Sequence, residues 1–397
     1  MLSAAGDYDL LLSVENEDGR SSEQLTLRVV SRLDGEIYMA DEYNVPLGRT
    51  LLLDATLWHY AAPSYLWQCG AEQSTDPVFR FTPSTEGEYS IMLTVADSDG
   101  YSLTRTLNVV CTPTEGTFRR EVSAESRATA TKLYEYRPAA GQFINEPQSG
   151  FAGEQTADAA VAYAQKRLEG EKYVSLGGWG GYVVVGFDHS VDNVEGYDLA
   201  IRANSYEGSS EPGVVWVMQD LNGDGLPNDG WYELRGSETG AATTLQRYSV
   251  TYYRPSADGQ SVEWSDSEGA TGTVDYLGSF HPQPSYYPAW IDAASYTLTG
   301  TRLEARNYDK SGNGSLWVQP SYGWGYADNF SEVDIVDKTT NLFDIANAID
   351  TQGVSVELKY IDFVKVQTAL NTKSGWIGEN STEVVDFSDY GLANRLK

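Results

Sequence analysis

The apolar residues of this chain mostly alternate with polar ones in short runs, which is the pattern of β-strands with one buried face. The C-terminal runs are YVVVGFD, YDLAIRA, GVVWVMQD, WYELRGS, RYSVTYYRP, SYTLTGTRLEA and VSVELKYIDFVKVQTAL. Many strands without repeated β-α-β units favour antiparallel pairing. The pattern therefore predicts an all-β protein in which residues 131–397 form one large, jelly-roll-like antiparallel β-sandwich.

One segment, TADAAVAYAQKRLEG, has the periodicity of a helix instead. Val161, Ala164 and Leu168 fall on one face of it, as they do in an amphipathic helix. Thr156 can cap its N-terminus, and Gly170 can end it. The spacing therefore predicts a single helix between these two residues.

The N-terminal part contains an internal repeat. GDYDLLLSVENEDGRSSEQLTLRVV (6–30) matches GEYSIMLTVADSDGYSLTRTLNVV (87–110), and each copy is typical of a hairpin with a polar turn. Only the second copy follows a full domain of strands, including SYLWQCG with Trp67. We predict an immunoglobulin-like sandwich at 34–112 around a buried Trp67, a linker at 113–130, and the last strands of a truncated first domain at 1–33. We therefore expect the chain to be a fragment, or a mis-started version, of a longer protein.

Charge restricts the partners of this chain. Asp and Glu number 57 against 27 Lys and Arg, which gives a formal net charge of −30. Such a surface repels nucleic acid and anionic membranes, and it favours cations. No apolar run reaches the ~18 residues of a membrane helix. Cys69 and Cys111 are the only cysteines; they can form a disulfide, although two free thiols are the favoured alternative.

The stretch QDLNGDGLPNDGWYEL is the clearest candidate metal site. Asp220, Asn222, Asp224 and then Gly225 follow the spacing of the first half of an EF-hand loop. The carbonyl of Leu226 would be the next ligand, but Trp231 stands where an EF-hand has its closing Glu. We expect a structural calcium loop on a β-scaffold, which Asp229 or Glu233 would close. The alternative is a solvated Asx/Gly turn without a metal.

Aromatic residues concentrate in segments that glycine or proline flanks, namely LGGWGGY, GWYEL, HPQPSYYPAW and SYGWGYADN. Loop aromatics of this kind either plug the core or form surfaces that stack on a ligand. We expect the glycine and proline neighbours to hold some of the rings clear of the sheets. The predicted ligand-binding residues are Trp179, Tyr182, Trp231, Tyr232, Tyr286, Tyr287, Trp290, Trp324 and Tyr326.

Signals of catalysis are weak by comparison. The chain has three histidines, His59, His189 and His281, and it lacks a Gly-x-Ser-x-Gly elbow, a His-Glu-x-x-His motif and a phosphate-binding loop. Carboxylates are too numerous for one glycosidase pair to stand out. We therefore assign no catalytic residue, and we expect a protein that is not an enzyme.

Family resemblances add to this interpretation. Residues 34–112 resemble PKD domains in their Tyr-x-Trp, Phe-x-Phe, Gly-x-Tyr and Val-x-Asp-x-x-Gly pattern. Residues 131–390, through LGGWGGYVVVGFDHSVDNVEGYDLAIRANSY, YYPAWI and TKSGWIGENSTEV, resemble PKD-containing cell-surface lipoproteins of gut Bacteroidetes. The resemblance implies an exported, lipid-anchored surface protein that accompanies outer-membrane cobalamin uptake components, with a transporter as its partner.

Three functions remain open at this point. The favoured one is a monomeric, non-catalytic surface protein whose C-terminal sandwich captures a cobamide or a glycan on a calcium-braced aromatic face. The second is a metal-assisted enzyme that acts on glycans. The third is a structural or adhesive surface protein.

Overall fold

A computed structural model describes residues 6–16, 19–29, 35–98 and 100–395. The chain divides into two compact units. The first comprises the described residues of Met1–Glu42, Leu53–Phe81 and Glu88–Val109, and the second comprises those of Tyr43–Leu52, Thr82–Gly87 and Val110–Lys397. Within the described ranges, no helix is long and apolar enough to cross a membrane.

In the described ranges, eleven strands precede residue 113. They are β1 (Gly6–Asn16), β2 (Gly19–Val29), β3 (Glu36–Tyr38), β4 (Glu42–Pro46), β5 (Leu51–Asp54), β6 (Thr56–Trp58), β7 (Ser64–Cys69), β8 (Glu72–Ser74), β9 (Val78–Phe81), β10 (Gly87–Ala96) and β11 (Ser102–Thr112). β1 and β2 form an antiparallel hairpin. In one sheet β11, β10, β7 and β8 are neighbours in that order, while β3 pairs with β6 and β5 with β9.

Trp67 is fully buried, as predicted. It lies on β7 opposite Leu93 of β10, and its ring stacks on Phe79 with the centroids 5.7 Å apart. The indole Nε1 donates to the carbonyl of Asp76 at 3.1 Å, so the one polar atom of the ring is satisfied. Both cysteines are free thiols; Cys111 is buried and Cys69 is half-buried.

Seventeen strands and two helices follow. The strands are β12 (Lys132–Arg137), β13 (Val174–Ser175), β14 (Tyr182–Asp192), β15 (Leu199–Ala203), β16 (Gly213–Met218), β17 (Tyr232–Leu234), β18 (Leu245–Tyr253), β19 (Val262–Asp266), β20 (Thr271–Val274), β21 (Ser295–Arg302), β22 (Tyr308–Asp309), β23 (Trp317–Val318), β24 (Ile335–Val336), β25 (Thr340–Phe343), β26 (Ala348–Ile349), β27 (Tyr360–Thr368) and β28 (Glu383–Asp389). The helices are α1 (Ala157–Glu169) and α2 (Tyr390–Arg395), and short 3-10 turns occupy Pro147–Ser149, Ile345–Asn347 and Gly375–Ile377.

These strands form three larger sheets. The orders are β12-β14-β27-β16-β17-β26, β13-β28-β15-β25-β24 and β20-β19-β18-β21, and β22 pairs with β23. The six-stranded and five-stranded sheets share one apolar core, to which β14, β16 and β27 contribute from one side and β15 and β28 from the other. The four-stranded sheet carries a separate, tyrosine-rich core. The predicted all-β class with antiparallel sheets packed as sandwiches is confirmed.

Helix α1 begins and ends near its predicted residues. Thr156 is the N-cap, and its side chain accepts a hydrogen bond from the amide of Ala159 at 3.2 Å. Gly170 is the C-cap. Val161, Ala164 and Leu168 pack on the core of the two larger sheets, as their spacing predicts.

Candidate functional site

Four of the nine rings predicted to bind a ligand are buried. Trp179, Tyr286, Tyr287 and Tyr326 are each 2% exposed or less. Three of them fill the core of the four-stranded sheet, and Tyr326 packs in a smaller cluster with Tyr322. These four rings therefore plug the core, which is one of the two alternatives for loop aromatics, and the neighbouring strands cover them.

Tyr182 and Trp231 surround a cation that belongs to the chain itself. Lys365 Nζ lies 4.7 Å from the ring of Trp216, 4.9 Å from that of Trp231 and 5.8 Å from that of Tyr182. Burial lowers the pKa of Lys365 to about 8, against the opposing effect of nearby Glu135 and Glu233. The lysine ammonium therefore occupies the negative ring faces on which a ligand would otherwise stack.

The last three predicted rings lie in separate places. Tyr232 and Trp290 pack against the main core, where Trp290 faces Tyr136 at 5.7 Å. Trp324 lines a cavity of about 230 Å³ together with Tyr197 and Phe343. The nine residues therefore do not form one face.

A different set of rings lines an open cleft, here called the aromatic cleft, with a volume of about 280 Å³. Its exposed rings are Tyr206, Phe280 and Trp376, which are 65%, 56% and 51% exposed. The other lining residues are Gln142, Phe143, Asn204, Ser209, Glu211, His281, Gln319, Ile377 and Glu383. All of them belong to the second unit.

Short loops place the cleft rings. Trp376 lies in the 3-10 turn Gly375–Ile377, which begins at a left-handed Gly375 with φ 56°. The side chain of Gln142 holds this turn, because its Nε2 donates to the carbonyl of Ile377 at 2.7 Å. Phe280 faces Trp376 with the ring centroids 6.2 Å apart. The two rings thus form one continuous apolar wall.

Three carboxylates meet at the floor of the aromatic cleft. Glu211 precedes β16, Glu383 begins β28, and the buried Asp328 joins them, with oxygens of all three within 4.8 Å of one another. We call them the acid triad. Burial, together with the charge of Glu383, raises the pKa of Asp328 and holds that of Glu211 well above its ordinary value. The pKa of Glu383 is also raised by burial, although its hydrogen bonds oppose the shift.

Hydrogen bonds fix the acid triad in place. The amide of Glu383 donates to Asp328 Oδ2 at 2.9 Å, and Ser381 Oγ donates to Glu383 Oε1 at 2.7 Å. Gln319 Nε2 donates to Glu211 Oε1 at 3.0 Å. The carboxylates therefore lie in fixed orientations, which is the preorganisation that a binding site needs.

The predicted calcium loop is an ordered turn. Asp220 accepts hydrogen bonds from the amides of Gly223 at 2.7 Å and Gly225 at 2.9 Å. Asp224 accepts from the amide of Leu226 at 2.8 Å and from the side-chain amides of Asn222 and Asn228. Gly223 and Gly225 have φ of 74° and 73°, which a glycine adopts without strain.

The two candidates for closing this loop differ. Asp229 Oδ2 accepts from the amide of Leu221 at 2.8 Å, and burial raises the pKa of Asp229 to about 7. Glu233 instead accepts from Thr301 Oγ1 at 2.5 Å, and burial raises the pKa of Glu233 to about 7, against the smaller effects of this hydrogen bond and of Lys365. Asp229 therefore bonds to the loop in this structure and Glu233 bonds elsewhere, and closure of a metal site by either residue stays a prediction.

A second loop shows what this spacing does by itself. Asp309, Ser311, Asn313 and Gly314 repeat the spacing of 220–225, and Asp309 accepts from the amides of Ser311 at 2.9 Å and Gly314 at 2.6 Å. The turn hydrogen bonds therefore follow from an Asp placed five residues before a Gly. They do not by themselves indicate a metal.

No protein-family model matches the chain, and no curated protein matches it. Among solved structures it is similar to a tandem of titin immunoglobulin domains, with 16% identity over 28% of this chain and a TM-score of 0.17; the match spans 63% of that structure, which is less than two thirds of its length. A SusE-like protein matches with 9% identity over 90% of this chain and 96% of its own, with a TM-score of 0.19.

A third similar structure is the SGBP-B protein of a Bacteroides ovatus mixed-linkage glucan utilization locus, in complex with a mixed-linkage heptasaccharide. It shares 14% identity over 79% of this chain and 80% of its own, with a TM-score of 0.14. At TM-scores this low, none of the three similarities carries an argument about this chain. The PKD and cobalamin resemblances therefore stay predictions.

Proposed function

We propose that this chain is a non-catalytic glycan-binding protein whose ligand site is the aromatic cleft. The observation that carries the proposal is the exposed ring wall of Phe280 and Trp376 beside buried carboxylates and amides. Sugar rings present apolar C–H faces that stack on aromatic rings, and hydroxyls that donate to carboxylates and side-chain amides. Glu211, Gln319 and Asn204 supply such partners in the cleft.

The size of the aromatic cleft favours a glycan over a cobamide. Its volume of about 280 Å³ lies just below the range of small-molecule sites, which is ~300–1,000 Å³. One or two sugar units, or the end of a longer chain, suit that space, whereas a corrin ring with its nucleotide is much larger. The net charge of −30 also favours a neutral ligand over an anionic one.

Calcium at the 220–229 loop is part of this proposal. Asp220, Asn222, Asp224 and Asp229 would hold the ion with the carbonyl of Leu226. The support is Asp229, a partly buried carboxyl that accepts from the amide of Leu221 in this loop and whose pKa is raised by burial and, in smaller part, by the nearby charges of Asp220 and Asp224. The ion would brace the loop between β16 and β17, and the aromatic cleft would remain the site of contact with the ligand. Export to the cell surface and a transporter partner follow from the family resemblance alone.

Binding by the full chain tests the site. Calorimetric titration with a panel of neutral oligosaccharides identifies a ligand, and Trp376→Ala and Phe280→Ala should each weaken its binding by about 2 kcal/mol, or roughly 30-fold in Kd. Tyr253→Ala is the matched control, because that ring is 42% exposed and lies outside the cleft. Equal affinities in all four proteins would refute the proposal.

The acid triad is the observation that favours a second function, a metal-assisted enzyme that acts on glycans. Carboxyls with a raised pKa in a cleft can serve as general acids. Such an enzyme would release shorter products from the bound oligosaccharide, and Glu211→Gln would abolish the release. Stable binding without new products over a long incubation would exclude this function and support simple capture.

A further inference from the structure

The acid triad has no counter-cation among the residues that the structure describes. In the described ranges, none of the ion pairs formed by Lys, Arg or His involves Glu211, Asp328 or Glu383. Asp328 and Glu383 are only 1% and 3% exposed. Buried carboxylates that lie so close together repel one another strongly, and protons or a bound cation must balance their negative charge.

One oxygen of the triad lacks a partner. Asp328 Oδ1 is buried, and no donor among the described residues reaches it at hydrogen-bonding geometry. Backbone hydrogen bonds from Asn204 and Ser205 to this carboxyl group oppose the rise in its pKa. A buried oxygen without a partner is costly. A ligand that fills this position would remove that cost.

We infer that Glu211, Asp328 and Glu383 hold a divalent cation of the calcium class at the floor of the aromatic cleft. A calcium ion sits about 2.3–2.6 Å from its oxygens, so one ion spans oxygens up to ~4.6–5.2 Å apart. The triad oxygens lie within 4.8 Å of one another.

The hydrogen bonds described above hold the triad in the orientation that this site needs. Ser381 and Gln319 orient Glu383 and Glu211, as outer partners of metal ligands do. Three carboxylates leave several of the six to eight calcium positions free. Because Glu211 and Glu383 line the aromatic cleft, water or the hydroxyls of a ligand can fill these positions from the open side. The role of ligand hydroxyls rests on the proposed function, whereas the metal site itself does not.

Calcium titration of the full chain, stripped with EDTA and without any glycan, tests the metal site by itself. Asp328→Asn and Glu211→Gln each keep the side-chain shape and remove a charge. Each should weaken the triad's calcium binding by at least about tenfold, because the loss of a partner outside the ligand shell already weakens metal binding by about 10–100-fold. Asp220→Asn is the matched variant of the 220–229 loop. It should leave the triad's binding event unchanged.

Melting temperatures separate a metal site from a purely structural one. In EDTA the two triad variants should melt at or above the wild-type temperature, because one of the mutually repelling charges is gone. Calcium bound at the triad should raise the melting temperature of the wild-type protein only. An unchanged calcium isotherm in both variants, or wild-type protein that binds no calcium at millimolar concentration, would overturn the inference. Equal destabilisation with and without calcium would also overturn it.

Discussion

Replacing Glu379 by Gln should remove a pH-dependent loss of stability from the second unit. Glu379 is 5% exposed, and it follows the turn that carries Trp376. Its Oε1 accepts from the amide of Gln142 at 2.6 Å, while Oε2 is buried without a partner among the described residues. Burial raises the pKa of Glu379 to about 8. The hydrogen bond from Gln142 opposes this rise, and the charge of Glu383 adds to it.

The sign of the pH dependence follows from proton binding. Between the ordinary glutamate pKa of ~4.3 and a folded-state pKa of about 8, the folded chain binds more protons than the unfolded chain. The free energy of unfolding therefore falls as the pH rises through this window. At 1.36 kcal/mol for each pH unit, the full loss is about 5 kcal/mol, of which only about 1 kcal/mol is present at pH 5.

Chemical denaturation followed by circular dichroism measures this loss. At pH 5 wild type and Glu379→Gln should differ by about 1 kcal/mol, and by pH 8.5 the variant should be the more stable by about 5 kcal/mol, since Gln carries no charge to bury. Glu263→Gln, at an exposed position on β19, is the matched control and should follow the wild-type profile. Parallel profiles for wild type and Glu379→Gln would refute the reasoning.

Two further predictions concern the immunoglobulin-like part and the predicted calcium loop. Trp67→Ala should lower the free energy of unfolding by about 3–5 kcal/mol, the cost of deleting a buried aromatic ring, as measured by urea denaturation; a loss below 1 kcal/mol would mean that Trp67 does not anchor that core. Calcium at a hundredfold excess over the Kd of the 220–229 loop should stabilise the second unit by about 2.7 kcal/mol through this loop, and Asp220→Ala should abolish most of that part of the gain in thermal melts, while the part from the acid triad remains. If EDTA shifts the melting temperature of Asp220→Ala as much as that of the wild-type protein, the loop is a plain turn without calcium.

The sequence predicts the parts of the fold that depend on local pattern. Alternation of apolar and polar residues indicates the strands, and the hairpin at β1 and β2 follows from it. The cap at Thr156 and the C-cap at Gly170 bound α1 because the residue types satisfy helix ends locally. The burial of Trp67 also follows from its place in an alternating strand.

The sequence does not predict which loop rings are exposed. Trp179 and Tyr286 have the same glycine or proline neighbours as Trp376, yet the four-stranded sheet covers the first two and leaves Trp376 open. The signal for Trp376 and Phe280 was available, since SGWIGEN and GSFHPQP are glycine-flanked and proline-flanked segments. Exposure is decided by packing from distant strands, which a local pattern does not contain.

The acid triad could not be found from spacing either. Asp328 and Glu383 are 55 positions apart and meet through one backbone hydrogen bond, while the amide of Glu211 donates to the carbonyl of Asp328 at 2.9 Å. In a chain with 57 acidic residues, no local feature distinguishes these three. Their proximity results from sheet topology, which only the three-dimensional structure provides.

A crystal structure of the full chain with its bound oligosaccharide tests the central claim most directly. We predict a sugar ring stacked on Phe280 or Trp376 in the aromatic cleft, with hydroxyls directed towards Glu211. Such a position is reached without displacing any buried ring. A ligand bound instead in the cavity beside Trp324, or on the surface over Trp231, with the aromatic cleft filled only by solvent, would contradict the account.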